Sequence, residues 1–395
     1  MSAEATYAPL AQAGLLATSR RVQEMHHAIA GKTFRVLKTI PVIAAPSGWV
    51  ESAHDTITDA VYAGVRAGGS ALLALAAGVE RSRARAGAPP ASGERGLRNA
   101  LNAAFGDRLD AAGNTLAIPL QLLFAGRPVL ADAAALRSLS PRVAVWLHGL
   151  GCDERSWSRP GPAWDDADEA AQGADYGALL QAQEGFSAVY LRYNTGLAIT
   201  DNATELGTQL AQLLAAAPQV RELALIGHSM GGLVARVACE QASAAQAAWV
   251  PRTSMIICLG SPHQGAPLEK LGRLASVAMG VSEVTRPLAR LADSRSRGVK
   301  DLRHGLGAAA TSAAIPLRLV SGSLAGESGG LAGRLVDRAL GDGLVRHPSA
   351  ADHGLGGDVQ RAELRGVGHM GLLRHPKVYA LIRDWLRQPR PPAGA

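Results

Sequence analysis

The sequence predicts an α/β fold: a mostly parallel sheet of eight strands, helices on both faces, and an antiparallel hairpin at one edge. Three observations predict it. From Val143 onward, short β-rich runs alternate with stretches of helical periodicity, the texture of strand–helix–strand units. The runs are Val143–Leu147, Ala188–Arg192, Leu223–Ile226, Met255–Leu259, Leu317–Ser321 and Val359–Leu364, and such alternation argues for a sheet covered on both faces. Ahead of them, Leu116–Phe124, an Ala-Gly-Arg turn and Pro128–Leu130 read as a strand hairpin.

Taken in order, residues 1–112 are expected to form a helical N-terminal extension, because apolar residues recur at three and four positions, as in Val22, Met25 and Ile29, and later Ile57, Val61 and Val65. The Gly/Pro/Arg stretch Arg83–Arg98 reads as a surface loop. Residues 113–390 form the expected α/β domain. Its crossover helices fall at Asn202–Ala217, Gly232–Ala248 and within 266–310, and a final one at Pro376–Leu386. The segment 262–315, with Leu268, Leu271 and Leu274 and then Val284, Leu288 and Leu291, is expected to be a helical cap insertion. Its apolar stripe fits either an acyl pocket or ordinary core packing.

Composition narrows the function classes. The chain has 395 residues, 47% of them hydrophobic and only 4% aromatic, so the core is built mainly from Ala, Leu and Val. The net charge is +7, but only five of the 40 basic residues are lysines and the arginines are scattered, many beside acids. No run of five or more bases occurs, which excludes a phosphate-binding stripe and with it a nucleic-acid partner. Three cysteines, odd in number and without metal-type spacing, argue against structural disulfides and for a reducing, cytoplasmic compartment. Met1–Thr18 lacks the basic and apolar regions of a secretory signal. The most apolar window, Ile57–Val79, contains Asp59, Arg66 and several glycines. A membrane-spanning helix needs about 20 residues with few or no charges, so this window reads as a packed helix or helix pair; peripheral membrane contact stays open.

Chemistry enters at Gly227-His228-Ser229-Met230-Gly231. A Gly-x-Ser-x-Gly pattern is cheap in a chain with 45 glycines; context gives it weight. The strand run Leu223–Ile226 precedes it and Gly232-Leu-Val-Ala-Arg-Val-Ala opens a helix, so Ser229 sits on the strand-to-helix turn that exposes a nucleophile. The helix N-terminus behind it supplies free N–H groups for a developing oxyanion.

The partners follow in chain order. His148-Gly149-Leu150 ends the Val143 strand. The Leu150 N–H, with that of Met230, is expected to form the oxyanion hole, while His148 shapes the loop. The general base must follow the last strand. His369, after Gly366-Val-Gly368 and before the final helix, has that position, with His375 its main rival. The acid lies between the Leu317 strand and His369, where Glu327, Asp337, Asp342, Asp352 and Asp358 are available. Asp342, flanked by glycines that allow a tight loop, is the best placed and Asp352 the next. Gly366–Gly371 also fits the dinucleotide-binding Gly-x-Gly-x-x-Gly pattern. Only 24 residues follow it, too few for the next βα unit, so no cofactor is expected. Without paired ligand spacing on a helix, no metal site is expected either.

His148-Gly149-Leu150, the Ser229 pentapeptide, Leu259-Gly-Ser-Pro-His-Gln-Gly265 and Gly341-Asp-Gly-Leu-Val345 together resemble bacterial lipases and esterases, and the related inositol-deacylase-like α/β-hydrolases. The resemblance covers about residues 115–390. It implies an α/β-hydrolase fold, a triad of Ser229, Asp342 and His369, and oxyanion donors at Leu150 and Met230. The chain departs from secreted lipases in lacking a visible export signal, and from the deacylase-like members in lacking an evident spanning helix, so only the reaction type carries over. The expected activity is hydrolysis of a small-molecule or lipid carboxylic ester through an acyl-enzyme. Thioester or amide cleavage by the same residues, and a non-catalytic lipid-binding scaffold, are the alternatives.

Overall fold

The computed structural model describes residues 8–39, 41, 44–85, 92–158, 175–266, 296–306, 315–324, 342, 345, 349–350 and 355–388. The chain divides into two compact units, Met1–Ala91 and Ser92–Ala395.

The first unit is a helical hairpin of α1 (Ala8–Lys38) and α2 (Ala44–Arg85). Its seam is polar. Gln23 donates to Asp59 (2.6 Å), Arg66 donates to Gln23 (2.6 Å), and Lys38 pairs with Glu51. The two ring nitrogens of His27 face Asp59 at 2.8 Å and Asp55 at 3.1 Å. Donating from both nitrogens at once requires the imidazolium, and these bonds, Asp59 first, raise the His27 pKa above 6.5. That stabilisation is complete below 6.5 and fades as pH rises through the elevated folded value. The helical circular-dichroism signal is therefore expected to melt at lower temperature on the alkaline side of that value. A His27→Gln variant should lose this pH dependence.

The expected loop Arg83–Arg98 is shorter than the composition suggests. α2 runs through Arg85, and α3 (Ser92–Ala111) starts at Ser92. Leu97, Leu101, Phe105 and Leu109 recur at four-residue spacing along α3, which outweighs the two glycines in its first turns. The sequence reading groups α3 with the helical extension; its bonds tie it to the second unit. Asn102 donates to the Leu116 carbonyl (2.8 Å) and accepts from the Ile118 N–H (2.9 Å), and Arg98 Nε donates to Leu116 (3.0 Å). Held this way, residues 116–120 form a loop, and the first strand begins only at Gln121.

The second unit carries eight strands: β1 (Gln121–Phe124), β2 (Arg127–Pro128), β3 (Arg142–Leu147), β4 (Ser187–Arg192), β5 (Glu222–His228), β6 (Thr253–Leu259), β7 (Leu317–Ser323) and β8 (Val359–Arg365), with the short helix α4 (Ala133–Ser138) between β2 and β3. Their order is β2-β1-β4-β3-β5-β6-β7-β8, with β1 antiparallel to both its neighbours and all other pairs parallel. This is the predicted α/β-hydrolase architecture, with its antiparallel edge hairpin.

Period-two alternation sorts each strand onto two cores. Val143, Val145 and Leu147 meet α6 (Ile199–Ala216) and α7 (Met230–Ala244), through residues such as Leu206, Leu210 and Leu233. Ala144 and Trp146 face α5 (Tyr176–Glu184) and the C-terminal helix (Pro376–Leu386), through Leu180, Val378 and Ile382. Between those helices, α8 (Arg297–His304) is the described helix of the expected cap segment; residues 267–295 and 307–314, with the apolar stripe read as a cap, lie outside the described residues. The C-terminal helix is α9. β4 and β5 flank β3 on opposite sides, so the crevice at the carboxyl ends of β3 and β5 is the switch point where open α/β sheets bind ligands.

Candidate active site

Ser229 stands between the last residue of β5 and the first of α7, with φ 53° and ψ −119°. A non-glycine residue at such positive φ is strained by about 1–3 kcal/mol. The turn is held by the Ser229 N–H donating to the Leu259 carbonyl (2.8 Å). Its sharpness dictates the neighbours: a Cβ on Gly227 would lie 2.3 Å from the Gly232 nitrogen, and one on Gly231 would lie 2.3 Å from the Leu147 carbonyl oxygen. Met230 opens α7, so its N–H has no intrahelical acceptor.

Across from the serine runs the loop after β3. A Cβ on Gly149 would come within 3.1 Å of Ser229 Cβ, so only glycine lets the two segments approach. The loop is pinned by the Gly151 N–H on Thr195 Oγ1 (3.2 Å) and by Tyr193, whose hydroxyl donates to the His148 carbonyl (2.7 Å). Tyr193 also stacks on the His148 ring, 4.4 Å between centroids. Burial pushes the His148 pKa down, in keeping with a loop-shaping part.

His369, on the turn after β8, donates from Nδ1 to Asp342 Oδ2 at 2.7 Å; both side chains are buried. The other Asp342 oxygen accepts from the Val345 N–H (2.7 Å), and the His369 N–H binds the Asp342 carbonyl (3.0 Å). The rivals are engaged elsewhere or lie outside the described residues. His375 caps α9, its Nδ1 accepting from the Lys377 N–H (3.2 Å), and Asp358 pairs with Arg318 (2.9 Å) just ahead of β8. Glu327, Asp337 and Asp352 are not among the described residues.

His228 links the serine turn to the histidine pair. His228 donates from Nε2 to the His369 carbonyl (3.1 Å), with ring centroids 4.6 Å apart, and Ser229 follows His228 directly. Ser229 Oγ and His369 Nε2 are both buried, and neither makes a hydrogen bond. Catalytic hydrogen bonds commonly tighten only when substrate arrives. Among the described residues, no group of three metal-ligating side chains lies together.

Two residues near the site escaped the sequence reading. His228 holds the His369 backbone, and burial, reinforced by the His369 charge, lowers its pKa to about 3; it stays neutral beside the His369 imidazole. Gly260, at φ 60°, closes the end of β6, where a Cβ would sit 3.1 Å from His369 Nδ1 and 3.2 Å from Asp342 Oδ2. The Pro-His-x-Gly element beyond it is structural. His263 accepts from the buried Arg236 (2.6 Å) and its carbonyl takes the Leu306 N–H (3.0 Å), which fixes the end of α8.

Residues 176–308 match the family model of a PGAP1-like alpha/beta domain. Among solved structures, the chain is similar to the mature lipase of Bacillus licheniformis, at 18% identity over 62% of this chain and 91% of that one, with a TM-score of 0.43. It is also similar to an esterase of Pyrococcus furiosus, at 16% identity over 63% of this chain and 82% of that one, with a TM-score of 0.39. No curated protein matches the chain.

Proposed function

We propose that this α/β-hydrolase chain is a serine hydrolase that cleaves carboxylic esters through an acyl-enzyme, with Ser229 as nucleophile, His369 as general base and acid, and Asp342 as its orienting carboxylate. The observation that carries the reading is the buried 2.7 Å Asp342–His369 pair standing beside a serine held at φ 53° on a strand-to-helix turn. Strain of that kind persists only where the surroundings over-determine it.

In the proposed cycle Ser229 Oγ attacks the ester carbonyl carbon and its proton passes to His369 Nε2. Asp342 accepts from Nδ1, which keeps Nε2 free to take that proton and stabilises the resulting imidazolium. The negative oxygen of the tetrahedral adduct lies against the N–H groups of Leu150 and Met230, each such donor being worth roughly 10²–10³ in turnover. Collapse breaks the carbonyl–alkoxy bond, and the alcohol leaves with the His369 proton. Water, deprotonated by His369, then releases the acid and returns the serine.

Hydrolysis of p-nitrophenyl esters from acetate to palmitate, with covalent labelling by a fluorophosphonate probe, tests this. Labelling of the native chain and release of p-nitrophenol are expected; a chain that takes no label and turns over none of the series refutes it. Gly260→Ala supplies a finer test. The new methyl crowds both members of the pair on a left-handed backbone and shifts them by a few tenths of an ångström; a displacement of about 1 Å costs on the order of 10² in rate, so a loss of about tenfold is expected. Turnover of the acetate ester should fall accordingly, with KM nearly unchanged.

A further inference from the structure

The hairpin of α1 and α2 packs the opposite way from an ordinary amphipathic pair. Among its described side chains, Ser19, Ser47 and Thr58 are buried, whereas a set of large apolar ones is exposed. On α1 the exposed stripe is Val22, Met25, Ile29 and Val36; on α2 it is Val50, Ile57, Val61 and Val65. Met25 is 59% exposed, Ile29 64% and Ile57 64%. Isolated exposed apolar residues need no explanation, but a contiguous apolar face marks an interaction site.

Helix geometry makes the two stripes one face. At about 100° per residue, the α1 stripe precedes the seam set by Ser19, Gln23, His27 and Phe34 by roughly 135°. The α2 stripe precedes its seam residues, Ser47, Glu51, Thr58 and Tyr62, by roughly 75°. The bonds of Arg66 to Gln23, His27 to Asp55 and Lys38 to Glu51 show the helices antiparallel. Offsets of the same sign, both well short of 180°, on two antiparallel helices place both stripes on one side of the pair.

Charge selects the occupant. The charged residues that border the α1 stripe on its outer side are Arg21 and Lys32, both exposed, with the exposed Arg35 and Glu24 further round. The acids Glu51, Asp55 and Asp59 are instead drawn into the seam by Lys38, His27 and Gln23. From Trp49 to Gly68 the charged residues of α2 are Glu51, Asp55, Asp59 and Arg66, all seam partners. The outer side there offers Ala53, Ala60, Gly64 and an 84% exposed Trp49. An apolar face with a basic border and an exposed tryptophan is the arrangement of helices that lie in the interface of an anionic bilayer. Among the described residues no helix is long and apolar enough to cross a membrane, so the face lies along the surface.

We propose that the outer face of the α1–α2 hairpin docks the protein onto an anionic lipid surface. The test is sedimentation of the full chain with vesicles of phosphatidylcholine alone or mixed equally with phosphatidylglycerol. The chain is expected to pellet with the mixed vesicles and much less with the neutral ones. Met25→Gln, Ile29→Gln, Ile57→Gln and Val61→Gln combined should weaken partitioning about tenfold or more with the helical signal intact. Arg21→Gln with Lys32→Gln should weaken binding to the anionic vesicles roughly fivefold per charge and leave the neutral ones unaffected. Trp49 fluorescence should shift to the blue on vesicle addition, a change absent in Trp49→Phe. A chain that stays in the supernatant with anionic vesicles overturns the proposal. So does a concentration-dependent dimer that the four glutamine substitutions dissolve, since a second copy would then own the face. All these substitutions fall in the first unit, Met1–Ala91, and Ser229 belongs to the second, so ester turnover of a soluble acetate substrate should be unchanged, and a failure of docking is read independently of the proposed chemistry.

Discussion

Ser229→Ala is expected to lower kcat for a short p-nitrophenyl ester by about 10⁴–10⁶-fold while leaving the chain at least as stable as the parent. The two effects have separate origins. Turnover falls because no other nucleophile stands on the β5–α7 turn, and the label from a fluorophosphonate should vanish with it. Stability does not fall because the Ser229 hydroxyl is buried without a hydrogen-bond partner, and a buried unsatisfied group costs about 1–3 kcal/mol. Alanine removes that group but keeps a side chain at φ 53°. Glycine removes both burdens, so Ser229→Gly should be the most stable of the three, by about 1–3 kcal/mol over the parent. Denaturant melts of parent, alanine and glycine forms give the order directly. A serine with a purely structural part would show the reverse: substitution would destabilise the chain and leave turnover and labelling in place.

The parallel strands were legible because burial on both faces writes itself as continuous apolar sequence, as in Leu223-Ala-Leu-Ile226 and Met255–Leu259, buried throughout. β8 was legible for a different reason: as the edge strand it alternates, with Ala362 and Leu364 turned to the core and Glu363 and Arg365 more exposed. The candidate residues around Ser229 were readable as motifs, since the turn needs glycines at fixed offsets. What the sequence withheld depends on which distant segments meet. Asn102 carries no local sign that it will bind the carbonyl of Leu116 and the N–H of Ile118, so α3 reads as one more helix of the extension. Periodicity finds α1 and α2 but does not say which stripe each turns inward; the His27–Asp55–Asp59 cluster, invisible as a pattern, decides it. Gly260 and His228 act on His369 across 109 and 141 residues of chain, and no local spacing encodes that.

Asp342→Asn is expected to lower kcat by about 10⁴-fold with a much smaller change in KM, and the reason lies in which proton the pair holds. Asp342 accepts from His369 Nδ1 with one oxygen and from the Val345 N–H with the other. If the asparagine oxygen keeps the Val345 bond, its amide group must face Nδ1, and an amide N–H there can only donate. Nδ1 then becomes the acceptor, the proton moves to Nε2, and His369 can no longer accept from Ser229. If the amide flips, the Val345 N–H loses its acceptor in a buried turn, a cost of about 1–3 kcal/mol. The first outcome spends activity and keeps stability; the second spends stability. Because both asparagine arrangements also leave the proposed oxyanion donors, the N–H groups of Leu150 and Met230, in place, residual turnover should persist above that of Ser229→Ala. Asp342→Ala, which fills neither position, should lose both rate and stability. Ring-nitrogen shifts of His369 by NMR, read in the parent and in Asp342→Asn, would show the tautomer change directly. A parent-like rate in Asp342→Asn would remove Asp342 from the triad and leave Asp352, the next acid in the chain, to be tested in its place.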